Sequence, residues 1–270
     1  MEKSEQTIFT EGEFYQAHFD PKTYLNSFFS LPQGHCEENY LELELRQLTN
    51  TFKTGEFKQS KWKGKRLIEI GSGPSIVSLI SACEHFEEIV MSDFADRNRQ
   101  EIESWLREDE GCFDWDPIIQ FVCKLEGNRT PMEVKVRLRQ TVKQVLMCDV
   151  RLENPFEPLE VEPADCVVTT LCLEAACKDL DIYQRALQSL KALLKPGGVL
   201  VMTGALNETF YMVGGQRFSC LPLSKDIVQG MLSNLGFSIE HFYLMPIPER
   251  YDKLISDFDG IFHVVACKPA

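Results

Sequence analysis

Two hydrophobic rhythms divide this chain. Up to residue 60, apolar positions recur every three to four residues in FYQAHF, TYLNSFF and YLELELRQLTNTF, which predicts helices. Beyond that, short apolar runs alternate with helical patterns. RLIEI (66–70) is a predicted strand, and SIVSLISACEHF is a predicted helix with Ile76, Leu79, Ile80 and Cys83 on one side. EIVMSDF (88–94) is a second strand, followed by the helix DRNRQEIESWLRED, with Ile102, Trp105 and Leu106 inward. Residues 107–145 read as a less regular excursion with a charged helix, and VKQVLMCDV (142–150) as a helix end and third strand. ADCVVTTLCL is a fourth strand, uniformly apolar as buried parallel strands are. The amphipathic helix DIYQRALQSLKALL stops at Lys195-Pro196-Gly197-Gly198. GVLVMTGAL is a fifth strand, and SKDIVQGMLSNLG a helix with Ser224 as N-cap and Gly236 as its stop. FSIEHFYLM and GIFHVVACK complete the pattern as two alternating strands.

Strands alternating with helices predict an α/β fold: a mostly parallel, Rossmann-like sheet of seven strands with helices on both faces. The last two strands, close in sequence, are expected as an antiparallel pair on the sheet edge. One domain spans 1–270, with a helical layer over 1–60 and the core over 61–270. Hydrophobic residues make up 44% of the chain, ample for a packed core. The net charge of −13 repels phosphate backbones, so nucleic acid is not expected as a partner. No apolar run approaches the roughly 18 residues of a membrane span, and the polar, acidic first residues are unlike a signal peptide, so a cytoplasmic monomer is expected. Ten cysteines form no C-x-x-C, and the five histidines lack ligand spacing, so no metal is expected.

Chemistry enters at Gly71-Ser72-Gly73-Pro74, between a strand and a helix. Glycines there let the backbone turn sharply and approach a ligand closely. Asp93, 20 residues after Gly73 at the end of the next strand, is placed to accept hydrogen bonds from ribose hydroxyls, or more plainly to cap the helix starting near Ala95. A dinucleotide needs G-x-G-x-x-G to admit its pyrophosphate, but here the third glycine position is Ile76, and no Walker lysine follows. A cofactor without phosphate fits better. S-adenosylmethionine (SAM) is one; its adenine would lie near Cys148-Asp149-Val150, and K-P-G-G before the fifth strand is widespread among enzymes that use it.

Seven ordered segments then resemble one family: FDPKTYL, IGSGPS, SACEHFEEIVMSDFADRNRQE, CFDWDP, LCLEA, LLKPGG and YMVGGQRFS. From about Phe14 to Lys268 the chain resembles the phenylethanolamine, nicotinamide and indolethylamine N-methyltransferases, of the class I SAM-dependent fold. The resemblance implies that SAM is the cofactor and S-adenosylhomocysteine the product. It implies that Tyr15, Tyr24 and Phe29 form an N-terminal lid, and that Gly71, Ser72 and Gly73 line the methionine part. It places Asp93 and Asn98 at the ribose, Phe94 beside the adenine, Asp149 and Val150 at the adenine edge, and Thr170 near the methionine. The family often has Tyr where this chain has Val77 and Phe29, which removes two hydroxyls that could contact the cofactor carboxylate.

Methyl transfer needs donor and nucleophile aligned and water excluded. An aliphatic amine is mostly protonated at pH 7, so its site benefits from carboxylates that bind the ammonium and accept its proton. Glu174 follows the fourth strand, Glu208 the fifth, and Asp257 precedes the last. The first two lie beyond carboxyl ends of predicted parallel strands, where open α/β sheets bind ligands, and all three correspond to acids near the amine in the phenylethanolamine enzyme. Phe28 and Tyr211 are expected as aromatic walls. Gly204 matches the phenylethanolamine pattern, where nicotinamide-methylating members carry Asp; Phe28 does not match it. The expected substrate is a small arylalkylamine, such as tryptamine or phenylethanolamine. The alternatives are nicotinamide and related pyridines, a thioether, or a SAM-binding regulator without catalysis.

Overall fold

A computed structural model describes residues 9–29, 40–53, 64–245 and 253–270. The expected boundary near residue 60 lies outside these. In chain order the elements are α1 (Gly12–His18), α2 (Pro21–Phe28), α3 (Tyr40–Lys53), β1 (Gly64–Ile70), α4 (Leu79–Ala82), β2 (Phe86–Asp93), α5 (Asp96–Arg107), α6 (Asp116–Glu126), α7 (Pro131–Thr141) and β3 (Val142–Met147). There follow β4 (Ala164–Thr170), α8 (Leu173–Ala176), α9 (Leu180–Ala192), β5 (Leu194–Leu206), β6 (Phe210–Val213), β7 (Gln216–Ser219), α10 (Lys225–Asn234), β8 (Ser238–Met245) and β9 (Gly260–Cys267). Seven strands form one sheet in the order β3-β2-β1-β4-β5-β9-β8. The strands from β3 to β5 are parallel, and β9 runs antiparallel to both β5 and β8.

The period of two along each central strand splits the core into two layers. Leu67, Cys166, Val168, Val199 and Val201 pack with α3, α4, α6 and α7 on one face. Ile68, Ile70, Val167, Leu200 and Met202 pack with α9 and α10 on the other. The chain leaves β1 for β2 on one side and later for β4 on the other. The carboxyl ends of β1 and β4 therefore flank the crevice where such sheets take ligands.

Three sequence expectations need correction. SIVSLISACEHF is not one helix: only Leu79–Ala82 is helical. Ser75 N donates to Ser72 O, and Ser75 Oγ accepts from Val77 N at 3.1 Å, so tight turns precede the helix. Ile76 and Val77 are apolar because they are buried, not because they repeat on a helix. K-P-G-G belongs to the irregular start of β5, where the register against β4 slips between Leu194 and Val199. The third strand stops at Met147, and Cys148–Val150 form a loop at its end. The last two strands do form the expected antiparallel pair at the sheet edge, with β9 inside, buried on both faces, and β8 outermost. The hairpin β6–β7 was not expected from the sequence. Its turn, Gly214-Gly215, has φ of 56° and 82°, the two positive values that a two-residue hairpin favours.

His263 clamps α3 to the sheet. Its Nε2 is hydrogen-bonded to Thr51 Oγ1 at 2.8 Å and its Nδ1 to Thr203 Oγ1 at 2.9 Å, all buried. Burial, with His241 adding to it, pushes the imidazole down to about 4. An unfolded chain protonates this ring near 6.5, so the stability it contributes is present above pH 6.5 and lost as pH falls toward 4. In urea titrations, the advantage of the natural chain over His263→Gln should therefore be largest above pH 7. It should shrink by roughly 3 kcal/mol on acidification toward pH 4.

Candidate active site at the carboxyl ends of the sheet

The loop after β1 is fixed by one carboxylate. Asp93, the last residue of β2, accepts from Gly73 N (2.8 Å, Oδ2), Ala95 N (2.8 Å, Oδ1) and Asn98 Nδ2 (2.9 Å, Oδ1). This side chain thus both holds the start of α5 and borders the crevice. Gly71 and Gly73 have φ of +67° and +57°. A Cβ on Gly71 would strike Cys172 Sγ at 2.1 Å, whereas one on Gly73 would meet nothing within 4 Å and would only intrude on open space. Burial raises the Asp93 carboxyl, with the three donors opposing the shift.

A cavity of about 720 Å³ opens over this loop, within the usual small-molecule range of roughly 300–1,000 Å³. One end is bounded by Phe94, Asp149, Val150 and Arg151. Asp149 accepts from Arg151 Nε at 2.8 Å and Nη2 at 2.7 Å. Burial opposes ionisation of Asp149, but Arg151 wins and holds it below the usual carboxylate range. Arg151 also lies over the Phe94 ring at 5.3 Å and faces Glu11 at 3.5 Å. No sequence signal singled out Arg151; only the turn after β3 brings it to this wall.

The N-terminal helices cover the cavity. Gly12 packs so closely that a Cβ there would sit 2.8 Å from the Phe94 ring. Tyr15, Phe19 and Phe218 stack or meet edge-on, Tyr24 touches Phe28 and Phe29, and Tyr211 stacks on Phe218. The Tyr211 hydroxyl donates to that of Tyr15 at 3.1 Å, joining the cover to the hairpin. Tyr15, Tyr24, Phe28, Phe29 and Tyr211 all line the cavity, as does Val77.

The expected acids do not stand alike. Glu208 lines the cavity; Ser256 Oγ donates to it, and burial raises its carboxyl. Glu174 lies just behind the wall, 3% exposed. Its Oε1 accepts from Ala205 N at 2.7 Å, and burial with nearby Glu208 pushes it up to about 8. Asp257 accepts from Thr209 N at 2.7 Å, Thr209 Oγ1 at 2.5 Å and Phe210 N at 3.2 Å, so it braces the turn that carries Glu208. Its neighbours Ser256 and Phe258 face the cavity instead. Gly204 also stands behind the wall, where a Cβ would lie 2.6 Å from the Phe262 ring and 3.3 Å from Glu174 Oε1. Asn98 supports Asp93 and does not line the cavity.

Two further acids were missed. Glu69 in β1 is 2% exposed, and Ser78 Oγ donates to its Oε1, while Oε2 has no partner. Burial raises it to about 8. A charged residue inside an apolar strand, as in RLIEI, was the available signal. Glu44 in α3 is 4% exposed and also lines the cavity.

The cavity suits SAM. Bare backbone at Gly73, the Asp93 carboxylate and the unpaired buried oxygens Glu69 Oε2 and Thr170 Oγ1 all border it. Leaving such atoms unpaired costs roughly 1–3 kcal/mol each, so they favour a ligand that carries donors and a positive charge.

Comparison with known proteins agrees. Solved structures of the same fold include the cyclase SpnF (TM-score 0.59, 16% identity, 97% of this chain and 98% of that one). Another is the N-methyltransferase NodS from Bradyrhizobium japonicum with S-adenosyl-L-homocysteine (TM-score 0.50, 11% identity, 93% and 99%). The fold is that of the class I SAM-dependent methyltransferases. The model of the NNMT/PNMT/TEMT family matches residues 6–269, and the chain belongs to that family. It is 45% identical to human nicotinamide N-methyltransferase over 96% of this chain and 97% of that one. It is 44% identical to indolethylamine N-methyltransferase of Oryctolagus cuniculus, with the same coverage. It is 40% identical to phenylethanolamine N-methyltransferase of Macaca mulatta, over 93% and 89%. This protein is thus a SAM-dependent N-methyltransferase.

Replacing Asp93 by Ala should act twice. If two ribose hydroxyls donate to it, each bond to the charged group is worth roughly 1.5–3 kcal/mol, so calorimetry should show SAM affinity falling by more than about 100-fold. Because Gly73 N, Ala95 N and Asn98 lose their acceptor, the melting temperature of the free protein should fall as well.

Proposed function

We propose that this enzyme methylates the amine nitrogen of a small arylalkylamine, and that Glu208 is the group that receives the substrate ammonium. The observation that carries this reading is a buried carboxyl, Glu208, in the wall of a cavity otherwise rich in aromatic side chains, with a second, Glu174, behind it. SAM, when bound, supplies a methyl group on a sulfonium sulfur that leaves as a neutral thioether.

The protein's own residues do the rest. Asp93, the Gly71–Gly73 backbone and the wall of Phe94, Asp149 and Val150 hold the cofactor, and Glu69 faces its cationic end. Tyr15, Tyr24, Phe28 and Tyr211 close over the reactants and exclude water, which keeps electrostatic interactions strong. Burial raises both Glu208 and Glu174, the latter to about 8, so Glu174 holds a proton at neutral pH. An entering ammonium favours their ionised form. Glu208 then takes a proton from the nitrogen, freeing its lone pair for in-line attack on the methyl carbon. Asp257 holds the Thr209–Phe210 backbone and so fixes the position of Glu208.

A pyridine nitrogen is the second reading, favoured by the 45% identity to a nicotinamide N-methyltransferase. Against it, Gly204 leaves no room for an orienting acid while Phe262 stands beside it. We further infer that the enzyme works in the cytosol as a monomer. The nine described cysteines form no disulfide, as in a reducing compartment. The net charge of −13 favours small amines over nucleic acid as partners.

Glu208→Gln keeps shape but removes charge and basicity. For tryptamine it should lower kcat/KM by about 10²–10⁴-fold, as expected for losing a positioned base. For nicotinamide, whose nitrogen carries no proton to remove, the loss should be far smaller. Equal losses on both would make Glu208 structural, and a natural preference for nicotinamide would overturn the amine reading.

A further inference from the structure

Helix α3 puts a carboxylate where its pattern calls for a hydrocarbon. Leu41, Leu45, Leu48 and Phe52 form its buried stripe, and Glu44 lies on that same stripe. Burying a carboxyl away from water is costly unless something pairs with it. Glu44 ends in the cavity wall rather than in the hydrocarbon layer. The Tyr40 hydroxyl, one turn earlier, favours its ionised form, but burial dominates and lifts it to about 7.

Its neighbourhood is acidic. The Tyr24 phenol is pushed up first by its burial and then by the charges of Glu44, Glu208, Asp93 and Glu174, three of which, Glu44, Glu208 and Asp93, line the same cavity as Tyr24. Among the described residues lining the cavity, Arg151 is the one cation, and it is committed to Asp149 at the other end. A site for a single amine needs one carboxylate partner, with Glu174 in reserve. Glu44 adds another on a different wall, contributed by a helix that carries neither of those two.

We propose that Glu44 determines specificity by holding a second protonated nitrogen of the acceptor, so that the preferred substrate is a diamine: one nitrogen is methylated at Glu208 while the other stays an ammonium at Glu44. This rests on the amine-methylating reading above. The reacting nitrogen loses its proton to Glu208, and the nitrogen at Glu44 keeps its own, so the product leaves still cationic. An aromatic ring between the two nitrogens would lie among Tyr24, Phe28 and Tyr211.

The test compares phenylethylamine with its ring-aminomethylated counterpart. It uses kcat/KM and, separately, calorimetric affinity in the presence of S-adenosylhomocysteine, which needs no turnover. The natural enzyme should favour the diamine by about tenfold or more, and Glu44→Gln should erase most of that ratio, roughly 10-fold or more, in both measurements. Glu208→Gln should lower turnover of both amines. A natural ratio near one overturns the proposal. So does a ratio unchanged in Glu44→Gln whose S-adenosylhomocysteine affinity is intact. If Glu44→Gln loses that affinity through misfolding, the ratio of the natural enzyme decides alone. Absence of turnover on every amine would overturn the amine reading, while calorimetry would still decide whether Glu44 selects the second nitrogen.

Discussion

The site is organised by one carboxylate at the end of one strand. Asp93 ties the glycine loop after β1 to the first turn of α5, where it holds both Ala95 N and the Asn98 amide. Two of those bonds are to backbone N–H groups, so the loop conformation and the helix start are set together. The positive φ values at Gly71 and Gly73 cost little because glycine has no Cβ. Any ligand group that reaches Asp93 therefore meets a carboxylate already pinned in place, and binding loses little to ordering it.

Around that anchor the protein buries carboxyl groups without matching cations among the described residues of the cavity wall. Glu44, Glu69 and Glu174 are each raised to about 7 or 8 by burial, and Glu208 is raised too. Groups raised in this way bind more protons folded than unfolded. Their ionisation opposes folding as pH climbs from about 4.5 through 8. A cationic donor and a cationic acceptor relieve the same strain that the empty site carries. The cavity thus stores part of its selectivity as unfavourable electrostatics, and an acceptor without positive charge gains nothing from it.

Much of this was legible in the chain. The uniformly apolar ADCVVTTLCL and the pair GSG and Asp93 announced the sheet and its cofactor crevice, since buried parallel strands and tight glycine turns leave local marks. What failed did so for nonlocal reasons. Ile76 and Val77 are buried by the sheet while their backbone turns, so periodicity mimicked a helix. Gly214-Gly215 between two short runs did mark a hairpin, but four-residue strands are too short to stand out. Glu174 was found from its place after a strand. Glu44 and Arg151 could not be, because a helix stripe and a loop carry no sign of which cavity they border.

The place of β9 matters for how the molecule is made. It fills the slot between β5 and β8, yet it follows both in chain order. Until β9 joins the sheet, β5 keeps one unpaired edge and β8 has no strand partner. Such edges are templates for pairing with other chains. Closure of the sheet is deferred to one late insertion, GIFHVVAC, apolar but for His263, which it delivers to Thr51 and Thr203. Synthesis order, not only sequence, decides when this protein becomes safe from its neighbours.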